Sequence, residues 1–158
     1  MAGQLSRNLA LLPAVRRELA AVVARDRPRL MIADFTATVA GQVAEAAGMP
    51  WVTLMPTPLA LETRSGAPGY CGGWGPAHHL GHRARDACGR AATRALKAAF
   101  GVIFARKLRA LSARIYRPDG SEASYSNQAI LGLEMSEVEF PRDWPECFEL
   151  IGPVTETP

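Results

Sequence analysis

Residues 29 to 41 read RLMIADFTATVAG, a strand-like apolar run that stops at one acid, Asp34. In open α/β sheets ligands gather just beyond the carboxyl ends of the strands, so an acid placed there stands in the reactive crevice. The same carboxylate, or Thr36, could equally cap the helix that starts behind it. Topology alone leaves both readings open.

The other candidates are weaker. His78 and His82 are four residues apart and could share a helix face as metal ligands with Cys88, His79 lying between them. No HExxH accompanies them and acids nearby are sparse, so histidines at a helix start are the expectation, and no metal. There is no GxGxxG, GxxxxGK[ST] or GxSxG, so within this chain nothing cradles a phosphate and no nucleophile stands beside a base. Ten Lys or Arg fall between Arg83 and Arg117 against one acid, Asp86. Such a block suits an anionic surface or, more plainly, a solvated helix face. Its aromatics lie on one side rather than among the cations, which argues against base stacking and nucleic acid.

The elements that position these residues follow from periodicity. Residues 5 to about 25 carry leucines and valines at spacings of three and four, an amphipathic helix ended by Asp26 and Pro28. Residues 29 to 33 form a short apolar strand, expected to be buried on both faces as parallel strands are. A helix over 36 to 47 is closed by Gly48, and Trp51 to Met55 make a second strand. Strand, helix, strand with short links is a βαβ unit, the building block of a parallel sheet. The stretch from Pro56 to Gly81 is a long Gly/Pro-rich loop carrying Tyr70 and Trp74. Residues 83 to about 116 read as a basic helix or helix pair with a kink at Gly101, and 118 to 120 as a turn. A short helix is expected at 127 to 131, and brief strands at 138 to 140 and 148 to 151.

The 158 residues suffice for one domain with a real core, and 48% hydrophobic against 21% charged is globular composition. Three cysteines, Cys71, Cys88 and Cys147, without CxxC spacing, argue against a disulfide framework or zinc knuckle. No apolar run is long enough for a membrane span and no signal peptide is visible, so the reading is cytoplasmic, with at most peripheral membrane contact through the basic helix.

The ordered series "DRPRLMIADFTATVAGQVAEAAGMPWVTL", "PTPLALE" and "FPRDWPECFELIGPV" resembles the second half of the N-terminal domain of a GT-B glycosyltransferase. The family is the UDP-glucuronosyl/UDP-glucosyltransferase-like one, on its bacterial macrolide and natural-product side. Its signature runs "DLVIxD", a helix, "GIPWV", and a "GP" where the N-terminal domain hands over to the C-terminal one. The resemblance implies a partial Rossmann-like α/β domain over residues 1 to 152 and the start of an interdomain linker at 153 to 158, with the C-terminal donor domain absent. It implies an inverting sugar transfer from a UDP- or TDP-sugar to a small hydrophobic acceptor, with no further cofactor. In the family an aspartate orients and charges the histidine that deprotonates the acceptor; Asp34 matches it, and the family's histidine position is absent from this chain. Thr57 falls near a position that contacts the donor sugar, with Pro56 the neighbouring register. Tyr70 and Trp74 match the region lining the acceptor pocket.

Without that histidine and the donor domain, the chain is expected to be inactive alone. The competing reading is a stand-alone interaction module that docks on a partner or an anionic membrane through residues 83 to 117. A sheet of few strands would also leave an edge open to self-association.

Overall fold

The computed structural model of the protein describes residues 2–58, 61–69, 73–137 and 139–154, with side chains from Ala10 onward. Tyr70, Cys71 and Val138 lie outside the described residues. Helix α1 spans Ala2–Asp26. It is followed by strand β1 (Met31–Asp34), helix α2 (Ala40–Ala46) and strand β2 (Trp51–Met55). Helices α3 (Leu80–Ile103) and α4 (Ala105–Ala110) precede strands β3 (Ala129–Gly132) and β4 (Phe148–Leu150). The four strands form one all-parallel sheet in the order β1-β2-β3-β4. The fold is α/β, as the βαβ pattern predicts.

The βαβ unit closes as its residues dictate. Gly48 takes φ 64°, the left-handed conformation that glycine adopts without strain, and the amide of Met49 returns to the carbonyl of Ala44. Chain reversal there lets Met31 pair with Trp51 and Asp34 with Leu54. Val23, Ala33, Ala40, Val43, Ala44 and Trp51 bury one another between helices and sheet. Gly41 lies so close to the Trp51 ring that an added Cβ would overlap Cζ2 and Cη2.

Several expectations are corrected. Residues 127 to 131 hold no helix; Ala129–Gly132 is the third strand. Buried Ser126 decides this: its Oγ donates to the Trp51 carbonyl (2.6 Å) and accepts from the amides of Gln128 (3.0 Å) and Ala129 (3.3 Å). The backbone is thereby stitched to β2, whose Thr53 Oγ1 accepts from the Ser126 amide. Helix α2 starts at Ala40 rather than near residue 36, because turns fill residues 35 to 39. Glu139 and Phe140 are not in a strand; the Glu139 carboxylate accepts from the Phe140 amide, and Pro141 follows. Finally, the basic segment breaks at Phe104, not Gly101, where Ile115 packs against the bare glycine backbone.

Among the described residues, the buried side chains of the sheet all point to one face. Ala33, Trp51, Thr53, Met55 and Ile130 alternate onto the covered face and are buried. The other face carries Ile32, 63% exposed, with Val52, Leu54 and Leu131 half-buried. The expectation that β1 is buried on both faces is thus overturned: among the described residues no helix lies over that side of β1.

Helix α3 is held by charge rather than by grease. Lys97 Nζ lies 2.5 Å from Glu122 and 3.3 Å from Glu62, and Arg94 bonds Glu62 at 2.7 Å. The Tyr116 hydroxyl donates to the other Glu62 oxygen, and the Arg94 guanidinium stacks on the Tyr116 ring. Burial pushes the Glu122 carboxyl up, with Lys97 opposing it. Arg90 donates to the Gly66 carbonyl, and Arg117 to those of Glu122 and Tyr125. The cations of this segment therefore tie the loop at 61–69 and the turn at 117–121 to α3.

Two stability outcomes follow. Gly41→Ala gains helix propensity, yet its methyl group collides with Trp51, so chemical denaturation should show a loss of about 1–3 kcal/mol. Lys97→Met leaves Glu62 and Glu122 facing each other with one fewer cation, a loss of about 3 kcal/mol at neutral pH. Glu122 titrates higher in the fold than in the unfolded chain, so its protonated form favours folding and the deficit should shrink as pH falls through the acid range. A deficit constant across that range would show that Glu122 is not the group exposed by the substitution.

Candidate functional site

Asp34, Thr57 and Glu134 stand at or just beyond the carboxyl ends of β1, β2 and β3. Asp34 is the last residue of β1, and β1 is an edge strand, so the carboxylate stands at the open side of the sheet. Its Oδ1 accepts from the Thr36 hydroxyl (2.5 Å) and the Thr36 amide (2.9 Å), while the Ala37 amide bonds the Asp34 carbonyl. This is an Asx turn, made by aspartate folding back on its own chain. Asp34 therefore caps the turn after β1, and α2 begins from Val39 without a side-chain cap. Among the described residues Oδ2 has no partner, and the group is solvent-exposed. The Thr36 hydroxyl, then its amide, hold the Asp34 carboxyl below the usual carboxylate range. It is an ionised acceptor of fixed orientation with one oxygen to spare.

Thr57 is exposed two residues beyond β2, and its side chain neighbours Glu134, two residues beyond β3, and opposes the upward shift of its carboxyl. Burial pushes the Glu134 carboxyl up, and the neighbouring Glu139 pushes it further. Glu139 in turn pairs with Arg142 Nη2 at 2.8 Å, both side chains being largely buried. Arg142 lies over the Trp144 ring, and its Nε and Nη1 are buried without a hydrogen-bond partner among the described residues. Sequence reasoning missed this Thr57–Glu134–Glu139–Arg142 chain, because β3, which delivers Glu134, does not show in the sequence. Two acids and an arginine on either side of Phe140-Pro141 were the available signal.

The remaining candidates go elsewhere. Trp74 is half-buried on α3: Arg85 stacks on it 4.7 Å away, and its ring meets the Gly89 backbone. Tyr70 falls outside the described residues. His79 is the N-cap of α3, its Nδ1 accepting from the His82 amide, and the His79 and His82 rings stack 3.7 Å apart. Burial and the neighbouring His79 lower the His82 pKa. These contacts are those of histidines starting a helix. Among the described residues no group of three His, Cys, Asp or Glu side chains is arranged to hold a metal, and no helix is long and apolar enough to cross a membrane. Cys88 is exposed and Cys147 half-buried, both free thiols.

A polar cleft of about 720 Å³ opens at the other end of the sheet, beside the amino ends of β3 and β4. Arg64, Asn127, Gln128 and Glu146 line it, and Gln128 Oε1 is already taken by the Trp51 amide. Asp34 and this cleft thus sit at opposite ends of the parallel strands.

The geometry at Asp34 is testable by carbon-detected NMR titration. The Asp34 carboxyl should titrate below a normal aspartate, and Thr36→Val should raise it towards the ordinary value. Because the folded pKa is depressed, the turn's contribution to stability is present above the unfolded pKa and is lost as pH falls through the folded one. A normal titration in the parent protein would mean the Asx turn is not formed.

In comparisons with known proteins, no family model, no curated protein and no solved structure matches this chain.

Proposed function

We propose that the chain is the acceptor-side part of the N-terminal domain of an inverting glycosyltransferase of the GT-B, UDP-glycosyltransferase-like kind, and that Asp34 is the carboxylate of its catalytic dyad. The reaction moves a sugar from a nucleotide-sugar donor to the hydroxyl of a small hydrophobic acceptor. The observation that carries this reading is the state of Asp34: Oδ1 locked by Thr36, Oδ2 open, at the carboxyl end of an edge strand. Neighbouring strands lie about 4.8 Å apart. A strand added alongside β1 would therefore deliver its own last residue beside Oδ2. A histidine there would donate one ring N–H to Asp34, and its other nitrogen, made more basic, would take the acceptor's proton. The oxygen so freed attacks the anomeric carbon as the nucleotide departs.

Support beyond Asp34 comes from Thr57. It stands beyond the adjacent strand, where the resemblance puts a donor-sugar contact, and its side chain neighbours that of Glu134. A hydroxyl and a carboxylate side by side suit the hydroxyl groups of a sugar. Trp74 keeps a weaker place in the acceptor site, since Arg85 already occupies its ring.

The test begins with the DNA that flanks the coding region in its source. The reading expects an in-frame strand ending in Gly-His upstream and a histidine- and glycine-containing nucleotide-binding domain downstream. The product of that full frame should consume UDP- or TDP-sugars in the presence of hydrophobic acceptors. Asp34→Asn should lower its kcat by about 10²–10⁴-fold, the range of general-base assistance. Flanking sequence that encodes neither segment, or a parental rate in the Asp34→Asn enzyme, would end this reading.

A further inference from the structure

Helix α3 turns its polar side inward. At about 100° per residue, Arg90, Arg94 and Lys97 fall on one side, and there they bond Gly66, Glu62 and Glu122. The opposite side carries Ala91, Ala95, Leu96, Ala99, Val102 and Ile103, all exposed. Leu96, Val102 and Ile103 are 71%, 78% and 73% exposed. No charged residue falls on that side between Asp86 and Arg106. A continuous apolar strip of this kind on a surface marks an interaction site.

Its surroundings say what covers it. Helix α4 follows at once with Arg106, Lys107 and Arg109, all exposed. The one acid in this stretch, Asp86, is 2% exposed and paired with Arg85, so it offers no negative charge to solvent. An apolar row that runs into exposed cations, with no exposed acid among them, is complementary to a negatively charged apolar boundary. A second copy of the same segment would instead bring like charges together.

We propose that the outer face of α3, continued by α4, docks on the surface of a bilayer containing anionic phospholipid. The Leu96–Val102–Ile103 row enters the boundary between headgroups and acyl chains, while Arg106, Lys107 and Arg109 meet the headgroups. This inference does not depend on the proposed transfer reaction.

The experiment is vesicle co-sedimentation of the whole chain on phosphatidylcholine alone and on phosphatidylcholine with about 30% phosphatidylserine. Binding should require the anionic lipid and weaken as salt rises from about 0.05 to 0.5 M. Ile103→Glu should reduce binding roughly tenfold or more with an unchanged circular dichroism spectrum, because the side chain touches little of the fold. The triple Arg106→Ala, Lys107→Ala, Arg109→Ala variant should reduce it roughly 100-fold. Equal binding to both vesicle types, no binding to either, or parental binding by Ile103→Glu would overturn the proposal. So would light scattering that finds a dimer dissolved by Ile103→Glu, which would assign the face to a second copy.

Discussion

The pairing of Lys97 with Glu122 and Glu62 is the constraint on which the outer half of the structure depends. Glu122 lies in the segment after the turn at 118–120, Glu62 in the loop beyond β2, and Lys97 in the middle of α3. Ion pairs this deep return their desolvation cost only when the remaining hydrogen-bonding positions are filled. Here they are: the Glu62 amide donates to Glu122, the Tyr116 hydroxyl to Glu62, and Arg94 closes the set. Burial, and then Glu62, push the Tyr116 phenol up, so it stays a hydrogen-bond donor at any ordinary pH. Once these charges are satisfied in the interior, the orientation of α3 is no longer free. Arg90, Arg94 and Lys97 turn toward the fold, and the apolar residues opposite them face out.

A parallel sheet normally has helices on both faces. This one has a covered face built by α1, α2 and the loop at 61–69, and an opposite face where Ile32, Val52, Leu54 and Leu131 form an apolar row. Burying a side chain such as Ile32 is worth about 1.5–3 kcal/mol, so the open row is a standing driving force for cover. The edge of β1 adds to it. The Met31 and Phe35 amides point to β2, bonding Pro50 and Leu54, so the alternate Ile32 amide and carbonyl point away from the sheet. Edge, open face and Asp34 coincide at β1. The place where the fold is least finished is also where its most distinctive carboxylate stands.

Much of this was legible from local chemistry. The βαβ unit, the glycine cap at Gly48, the turn with Gly120 at φ 83° and the last strand all rest on neighbouring residues and hold. So does the position of Asp34, because a short apolar run followed by turn formers fixes where a strand ends. The third strand did not show, since SNQAIL offers Ser126 as a helix cap as readily as a bridge to β2. Only its burial between Trp51 and Thr53 decides the matter. The direction of α3 was hidden for a related reason. An amphipathic pattern identifies two faces, and the default puts the apolar one inside. Glu62 and Glu122 lie roughly 30 residues away on either side of the helix, and no periodicity announces that they will draw the cations in.

Cap and catalytic partner were alternatives for Asp34 in the sequence, but a carboxylate has two oxygens and the structure assigns only one. An Asx turn leaves the second oxygen aimed by the first: rotation about the side-chain torsions is stopped by two bonds to Thr36, without the cost of an external support. A carboxylate that must hold an imidazole in one tautomer needs that fixity, since a freely rotating acid would gain and lose its partner with each rotamer. Capping the turn is therefore compatible with the proposed second role rather than a rival to it. The depressed pKa fits as well, for it keeps the group charged against the proton it would be asked to stabilise on the imidazole.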